Sequence, residues 1–141
     1  MESRDALLPW VNRMGYSEEM LKRRIRQYEE TPAHELWFLD RGIPDLIAYI
    51  RKDGLDVPEM YYEAAKEYRY QQLVFLTPPW EQIYINDRER HESFEEAKNI
   101  HAEIERAYAQ ANYTCVTLPK ITIHERVAFI LESISHIAKV N

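Results

Sequence analysis

Short, continuous apolar runs separated by longer amphipathic stretches dominate the hydrophobic pattern of this chain. An apolar run of this length is typical of a strand that is buried on both faces of a sheet. The sequence therefore predicts three buried strands, which cover residues 36–39, 73–76 and 113–118.

The amphipathic stretches between these runs predict helices, and several begin at a residue that can cap a helix. Ser17 is predicted to cap the first helix, and Pro44 fits the first turn of the second. Ser93 and Thr122 each precede a glutamate by three residues, which is the pattern of a capping box. We expect helices over about 17–30, from 44 to a stop at 52–54, over 58–68 and 93–110, and from 122 onward.

Strands that alternate with helices indicate an α/β fold in which helices cover a parallel sheet. The length of 141 residues fits one domain, residues 1–141, with a core that needs no disulfide or metal. Composition agrees, since 45% of the residues are hydrophobic and 30% are charged.

Charge and cysteine content narrow the class of protein. The net charge of -6 argues against a broad nucleic-acid-binding face, which needs basic residues. Cys115 is the single cysteine, so no internal disulfide is possible, and this suits a reducing cytosol. We find no secretory signal pattern and no apolar run long enough to span a bilayer, so we expect a cytoplasmic protein without membrane contact.

The most informative segment joins the first predicted strand to the helix that follows it. Its residues Asp40, Arg41 and Gly42 lie where α/β folds place charged active-site residues, at the carboxyl end of a strand. An alternative is that Asp40 caps the helix and Arg41 pairs with a nearby carboxylate. The phosphate-binding motif Gly-x-x-x-x-Gly-Lys-Ser/Thr, which would settle the matter, does not occur in the 141 residues.

Several segments, taken together in order, resemble the predicted ATPases of the AAA-like P-loop group. That group is similar to nicotinamide-riboside kinases and thymidylate-type nucleotide kinases. The resemblance runs from about residue 7 to residue 134. It rests on the segments 38–49, 74–84, 86–97, and Pro119 with 125–131.

The resemblance implies an incomplete P-loop NTPase-like three-layer fold with a short parallel sheet covered by helices. It implies ATP and Mg²⁺ as cofactors, and either ATP hydrolysis or phosphoryl transfer to a small nucleoside-like acceptor. Asp40 would be the acidic base or magnesium partner, and Arg41 the phosphate or substrate clamp. The other implied site residues are Arg88 and Arg90 in a mobile lid, and Asp45, Tyr49, Trp80 and Tyr84 around the substrate.

Each of these assignments has a structural alternative. Arg88 and Arg90 also fit a solvated loop with local acidic partners, whose contribution to stability is small. Asp45 and Tyr49, one helical turn apart, also fit a dipole partner and a core residue. Aromatic residues such as Trp80 are more often simply packed than bound to a ligand.

The missing phosphate-binding motif also bears on function and assembly. In the group that this chain resembles, another strand lies in the sheet between the two strands that correspond to those predicted here to end at Asp40 and Leu76. No such strand is present in this sequence. We therefore expect impaired catalysis, and self-association through an exposed sheet edge. The alternative function is a non-catalytic binding or assembly module that a partner chain completes.

Overall fold

The computed structural model describes residues 12–80 and 93–140. Helices and strands alternate in the described part of the chain, which confirms an α/β fold. The elements in chain order are α1 (Arg13–Glu30), α2 (Ile43–Lys52), α3 (Glu59–Glu67), β1 (Leu73–Leu76), α4 (Phe94–Gln110), β2 (Thr114–Thr117) and α5 (Ile123–Val140).

Helix α2 lies at the centre of the core, where it packs against α1, α3 and α4. Seven of its ten residues are buried, and its basic side chains, Arg51 and Lys52, lie in its last turn. A helix buried to this extent is stable only when other elements surround it. Ile43 and Ile50 are completely buried, as is Tyr61 of α3.

Strands β1 and β2 pair in parallel, with Leu73 opposite Thr114 and Leu76 opposite Thr117. The ladder extends one residue beyond each end, because Thr114 N–H donates to the Gln72 carbonyl and Leu118 N–H donates to the Leu76 carbonyl. Helix α4 connects the two strands and packs on β2. The predicted parallel sheet is therefore confirmed, with two strands in the described residues.

The predicted strand over residues 36–39 is wrong. Leu36, Trp37 and Phe38 are 61%, 53% and 60% exposed, and this segment pairs with no strand among the described residues. A strand needs a neighbouring ladder for its backbone groups. The apolar run is present, but β1 pairs only with β2 within the described residues, so the run remains an exposed connection.

Most of the helix predictions are confirmed, but the cap of α1 is not Ser17. The helix begins at Arg13, because the Asn12 carboxamide oxygen accepts the Gly15 N–H at 3.0 Å. Ser17 instead lies within the helix, completely buried. The capping boxes at Ser93 and Thr122 have the expected side-chain bonds to the N–H groups of Glu96 and Glu125.

Among the described helices, no stretch combines the length and the apolar character that crossing a bilayer requires.

Candidate functional site

The candidate site is the turn of Asp40, Arg41 and Gly42 that leads into α2. Arg41 has a φ of 70°, in the left-handed region that residues with a side chain seldom adopt. Such backbone outliers persist only where the surroundings determine them, and they cluster at functional sites. The conformation of this turn is therefore the first feature to explain.

A buried carboxylate holds the turn. The Gly42 N–H donates to Asp45 Oδ2 at 2.8 Å, and the Tyr108 hydroxyl donates to the same oxygen at 2.5 Å. Asp45 is only 7% exposed, so its charge is stabilised mainly by these two donors and by the N-terminus of α2. This carboxylate links the turn to α4, which carries Tyr108.

Two further tyrosines continue this support toward the sheet. The Ile43 N–H donates to the Tyr70 hydroxyl at 3.1 Å, and the Tyr70 N–H donates to the Tyr113 hydroxyl at 2.9 Å. The rings of Tyr108 and Tyr113 meet edge to face at 5.5 Å. The start of α2 is thus tied to the residues beside β1 and β2 through side-chain bonds.

The Arg41 side chain extends over α2 to Tyr49. Its Nη1 donates to the Tyr49 hydroxyl at 2.9 Å, and its guanidinium carbon lies 5.5 Å from the ring centroid. Desolvation by burial lowers the pKa of Arg41. The bond to Tyr49 and the carboxylates of Asp45 and Asp40 together raise it by more, so the net pKa is above its ordinary value. Arg41 is a permanent cation with guanidinium donors left for a ligand.

The structure brings four predicted site residues together: Asp40, Arg41, Asp45 and Tyr49. Asp40 is exposed beside Arg41, whereas Asp45 is buried and supports the turn. Asp45 lies in the first turn of α2, where a carboxylate interacts favourably with the helix dipole, as the structural alternative for this residue predicted. Its role toward a substrate remains a prediction.

The other predicted site residues fall elsewhere. Trp80 follows β1 and is half-buried, with the guanidinium of Arg126 5.4 Å from its ring centroid. An arginine therefore already covers one region of this ring. The predicted lid and substrate residues Tyr84, Arg88 and Arg90 lie outside the described residues.

Sequence reasoning missed three residues of the site: Arg13, Tyr70 and Tyr108. The content of ten tyrosines was visible, but nothing in the spacing of Tyr70 and Tyr108 indicates that both approach Gly42. Arg13 reaches the site because α1 packs against α2. Its guanidinium carbon lies 4.9 Å from the Tyr49 ring centroid.

The buried tyrosines predict a loss of stability at high pH. Burial raises the pKa of Tyr70 to about 12, and burial together with the Asp45 carboxylate raises the pKa of Tyr108. A raised folded-state pKa means that the folded chain holds the proton more tightly than the unfolded chain. The stabilisation from Tyr70 is thus complete below its unfolded pKa of about 10 and is lost as the pH rises toward 12.

We expect the free energy of unfolding to fall by about 1–3 kcal/mol per such tyrosine across this interval. Urea unfolding followed by circular dichroism at several alkaline pH values measures it. Tyr70→Phe should make the fall shallower than it is in the parent chain. A free energy that is flat between pH 10 and 12 in the parent chain would contradict the prediction.

Comparison with known proteins gives a family and nothing closer. No curated protein and no solved structure matches the chain. The family model described as AAA domain matches residues 1–126, which is most of the 141 residues. Because this match covers well over half of the chain, the chain belongs to the AAA domain family.

Proposed function

We propose that this chain is a P-loop NTPase-like domain whose Asp40–Arg41 turn handles nucleotide phosphates. The reaction is ATP hydrolysis or phosphoryl transfer to a small nucleoside-like acceptor. The observation that carries the proposal is the strained Arg41 backbone, held in place by the buried Asp45 and Tyr108 pair. Family membership supports the nucleotide class.

Arg41 and Asp40 have different parts in this proposal. The guanidinium of Arg41 binds phosphate oxygens through its fork of donors, which suits a tetrahedral anion. The exposed carboxylate of Asp40 accepts a proton from an attacking hydroxyl or water, or binds a metal ion. Because the turn is already held, little ordering is required when the ligand arrives.

The donor set fits Mg²⁺ only when the ion arrives with a nucleotide. Mg²⁺ is usually held by one or two carboxylates together with phosphate oxygens and water. Asp40 offers one exposed carboxylate, and within residues 12–80 and 93–140 no group of three or more potential ligand side chains surrounds a point. Bound there, Mg²⁺ would neutralise charge on the phosphates.

We further propose that the 141 residues alone have impaired activity. They contain no Gly-x-x-x-x-Gly-Lys-Ser/Thr segment, whose backbone N–H groups and lysine normally bind the β- and γ-phosphates. Phosphoryl transfer depends almost entirely on positioning and charge stabilisation. Without that segment, Arg41 is left to hold the phosphate in line with an acceptor, and one side chain does this poorly.

A titration with ATP and Mg²⁺, in which saturation-transfer NMR measures the binding of ATP, tests the proposal. We expect millimolar binding that Arg41→Ala weakens. Arg106→Ala should have no effect, because Arg106 pairs with Glu103 on the exposed face of α4. Micromolar binding, or turnover of about 1–100 per second, would contradict the impairment. A folded chain that binds no ATP would contradict the nucleotide assignment.

A second candidate function is a binding or assembly module that a partner chain completes. The observation that favours it is the exposure of Leu36, Trp37 and Phe38 in consecutive positions. Contiguous exposed apolar residues mark interaction sites more often than scattered ones do. The simplest form of this function is self-association, which analytical ultracentrifugation at several protein concentrations tests. A chain that stays monomeric at every concentration would contradict it.

A further inference from the structure

Helix α5 presents an apolar face that stays exposed in the described part of the chain. Ile123, Val127 and Leu131 are 76%, 49% and 56% exposed. They recur every four positions, so they lie along one side of the helix. None of the extensive contacts between described elements involves α5, whereas α2 packs against three other helices. A continuous exposed apolar strip of this kind marks an interaction surface.

The spacing within this face is that of a helix that packs against another helix. Four β-branched residues follow one another at intervals of four, three and four positions: Ile123, Val127, Ile130 and Ile134. These alternating intervals are the heptad spacing of a coiled-coil seam. Ile130 and Ile134 are half-buried, so part of each side chain is also open to a partner. These four residues are the α5 seam.

The charges of α5 favour an identical helix as that partner. The helix contains two acidic and two basic residues, so its formal charge is zero, whereas the whole chain carries -6. Two copies therefore repel each other less through α5 than through an average part of their acidic surface. Glu125 and Glu132 are exposed and, by helical periodicity, lie on the side opposite the α5 seam.

The polar side of α5 argues against a lipid surface as the occupant of this face. Helices that lie on membranes carry Lys and Arg on the polar side, where these residues attract anionic lipids. In α5 this side carries Glu125 and Glu132, which anionic headgroups repel. An apolar seam without charge is instead complementary to a copy of itself, as a two-fold symmetric interface requires.

We propose that α5 pairs with α5 of a second copy of this chain through the α5 seam, forming a two-fold symmetric dimer. An 18-residue helix is about 27 Å long, and one pair of such helices buries less than the roughly 1,200–2,000 Å² of a stable interface. The dimer is therefore weak and reversible, with a Kd in the micromolar range. The proposal goes beyond nucleotide handling and does not depend on it.

Sedimentation equilibrium at several protein concentrations tests the pairing. We expect the parent chain to shift from monomer to dimer at micromolar concentrations. Val127→Asp should raise the Kd at least about a hundredfold, because both copies would then bury an unpaired carboxylate at the interface. Ala128→Asp is the matched control, since it adds the same carboxylate at the next, exposed position away from the seam, and it should leave the Kd unchanged.

Circular dichroism and urea unfolding of each variant separate loss of pairing from loss of folding. Val127 is exposed, so Val127→Asp should leave the free energy of unfolding of the monomer unchanged. A parent chain that stays monomeric at every concentration would overturn the proposal. If Val127→Asp also destabilised that monomer, another segment of the same chain would be the occupant of the seam.

A second variant distinguishes the α5 seam from the exposed residues 36–38. Trp37→Ser should leave the dimer intact. A dimer that Trp37→Ser abolishes and Val127→Asp does not would overturn the proposal and assign self-association to residues 36–38. Failure of the nucleotide function is a separate result: a dimer that Val127→Asp disrupts supports the α5 seam even in a chain that binds no ATP.

Discussion

Replacing Asp45 with alanine is expected to lower the free energy of unfolding by about 2–4 kcal/mol. The change removes the acceptor of two hydrogen bonds at once, from the Gly42 N–H and from the Tyr108 hydroxyl. Tyr108 is only 5% exposed, so its hydroxyl would have no access to water. Leaving a buried donor unpaired costs more than the bond itself contributes.

Urea unfolding followed by circular dichroism measures this loss, and two further variants give it a rank order. Asp45→Asn keeps an oxygen acceptor without the charge, so its loss should be smaller than that of Asp45→Ala. Asp56→Ala is the matched control, because Asp56 is exposed in the loop before α3. Equal stability of Asp45→Ala and Asp56→Ala would show that the Asp45 bonds contribute nothing.

The amino-acid pattern predicted the local elements well because their signals are local. Pro44 in the first turn of α2 and the Thr122–Glu125 capping box act within four residues, and both are found as expected. The apolar runs 73–76 and 113–118 became paired strands, because each has the other as a neighbour. In these segments the local sequence signals and the strand pairing favour the same structure.

The failure at residues 36–39 has the opposite cause. Apolar composition predicts a strand only when a neighbouring strand supplies the ladder, and composition alone does not reveal whether one is present. Ser17 failed for a different reason. Asn12, five residues earlier, is a comparably strong cap, so the helix begins directly after it and Ser17 becomes an interior residue.

The candidate site was predicted in part. Asp40 and Arg41 were found from their position after an apolar run, and the structure places both on the turn before α2. The support from Tyr70 and Tyr108 was not predictable, because it joins segments that lie 27 and 63 residues from their partners Ile43 and Asp45. Such contacts depend on how helices pack and leave no periodic signal.

The packing around Gly42 connects the support of the turn to a second strong prediction. A Cβ atom at this position would lie 2.7 Å from the Tyr108 hydroxyl and 2.8 Å from a ring carbon of Tyr70. Both distances are below the van der Waals contact of carbon with its neighbours. The φ of Gly42 is -136°, which alanine adopts without strain, so the cost of a side chain here is purely steric.

We therefore expect Gly42→Ala to lower the free energy of unfolding by about 1–3 kcal/mol, the usual cost of overpacking. Asp56→Ala again serves as the control, because Asp56 is exposed in the loop before α3. Adding Tyr108→Phe to Gly42→Ala should not restore stability, because the Tyr70 ring still obstructs the methyl group. Full restoration would show instead that the Tyr108 hydroxyl alone sets the size limit at this turn.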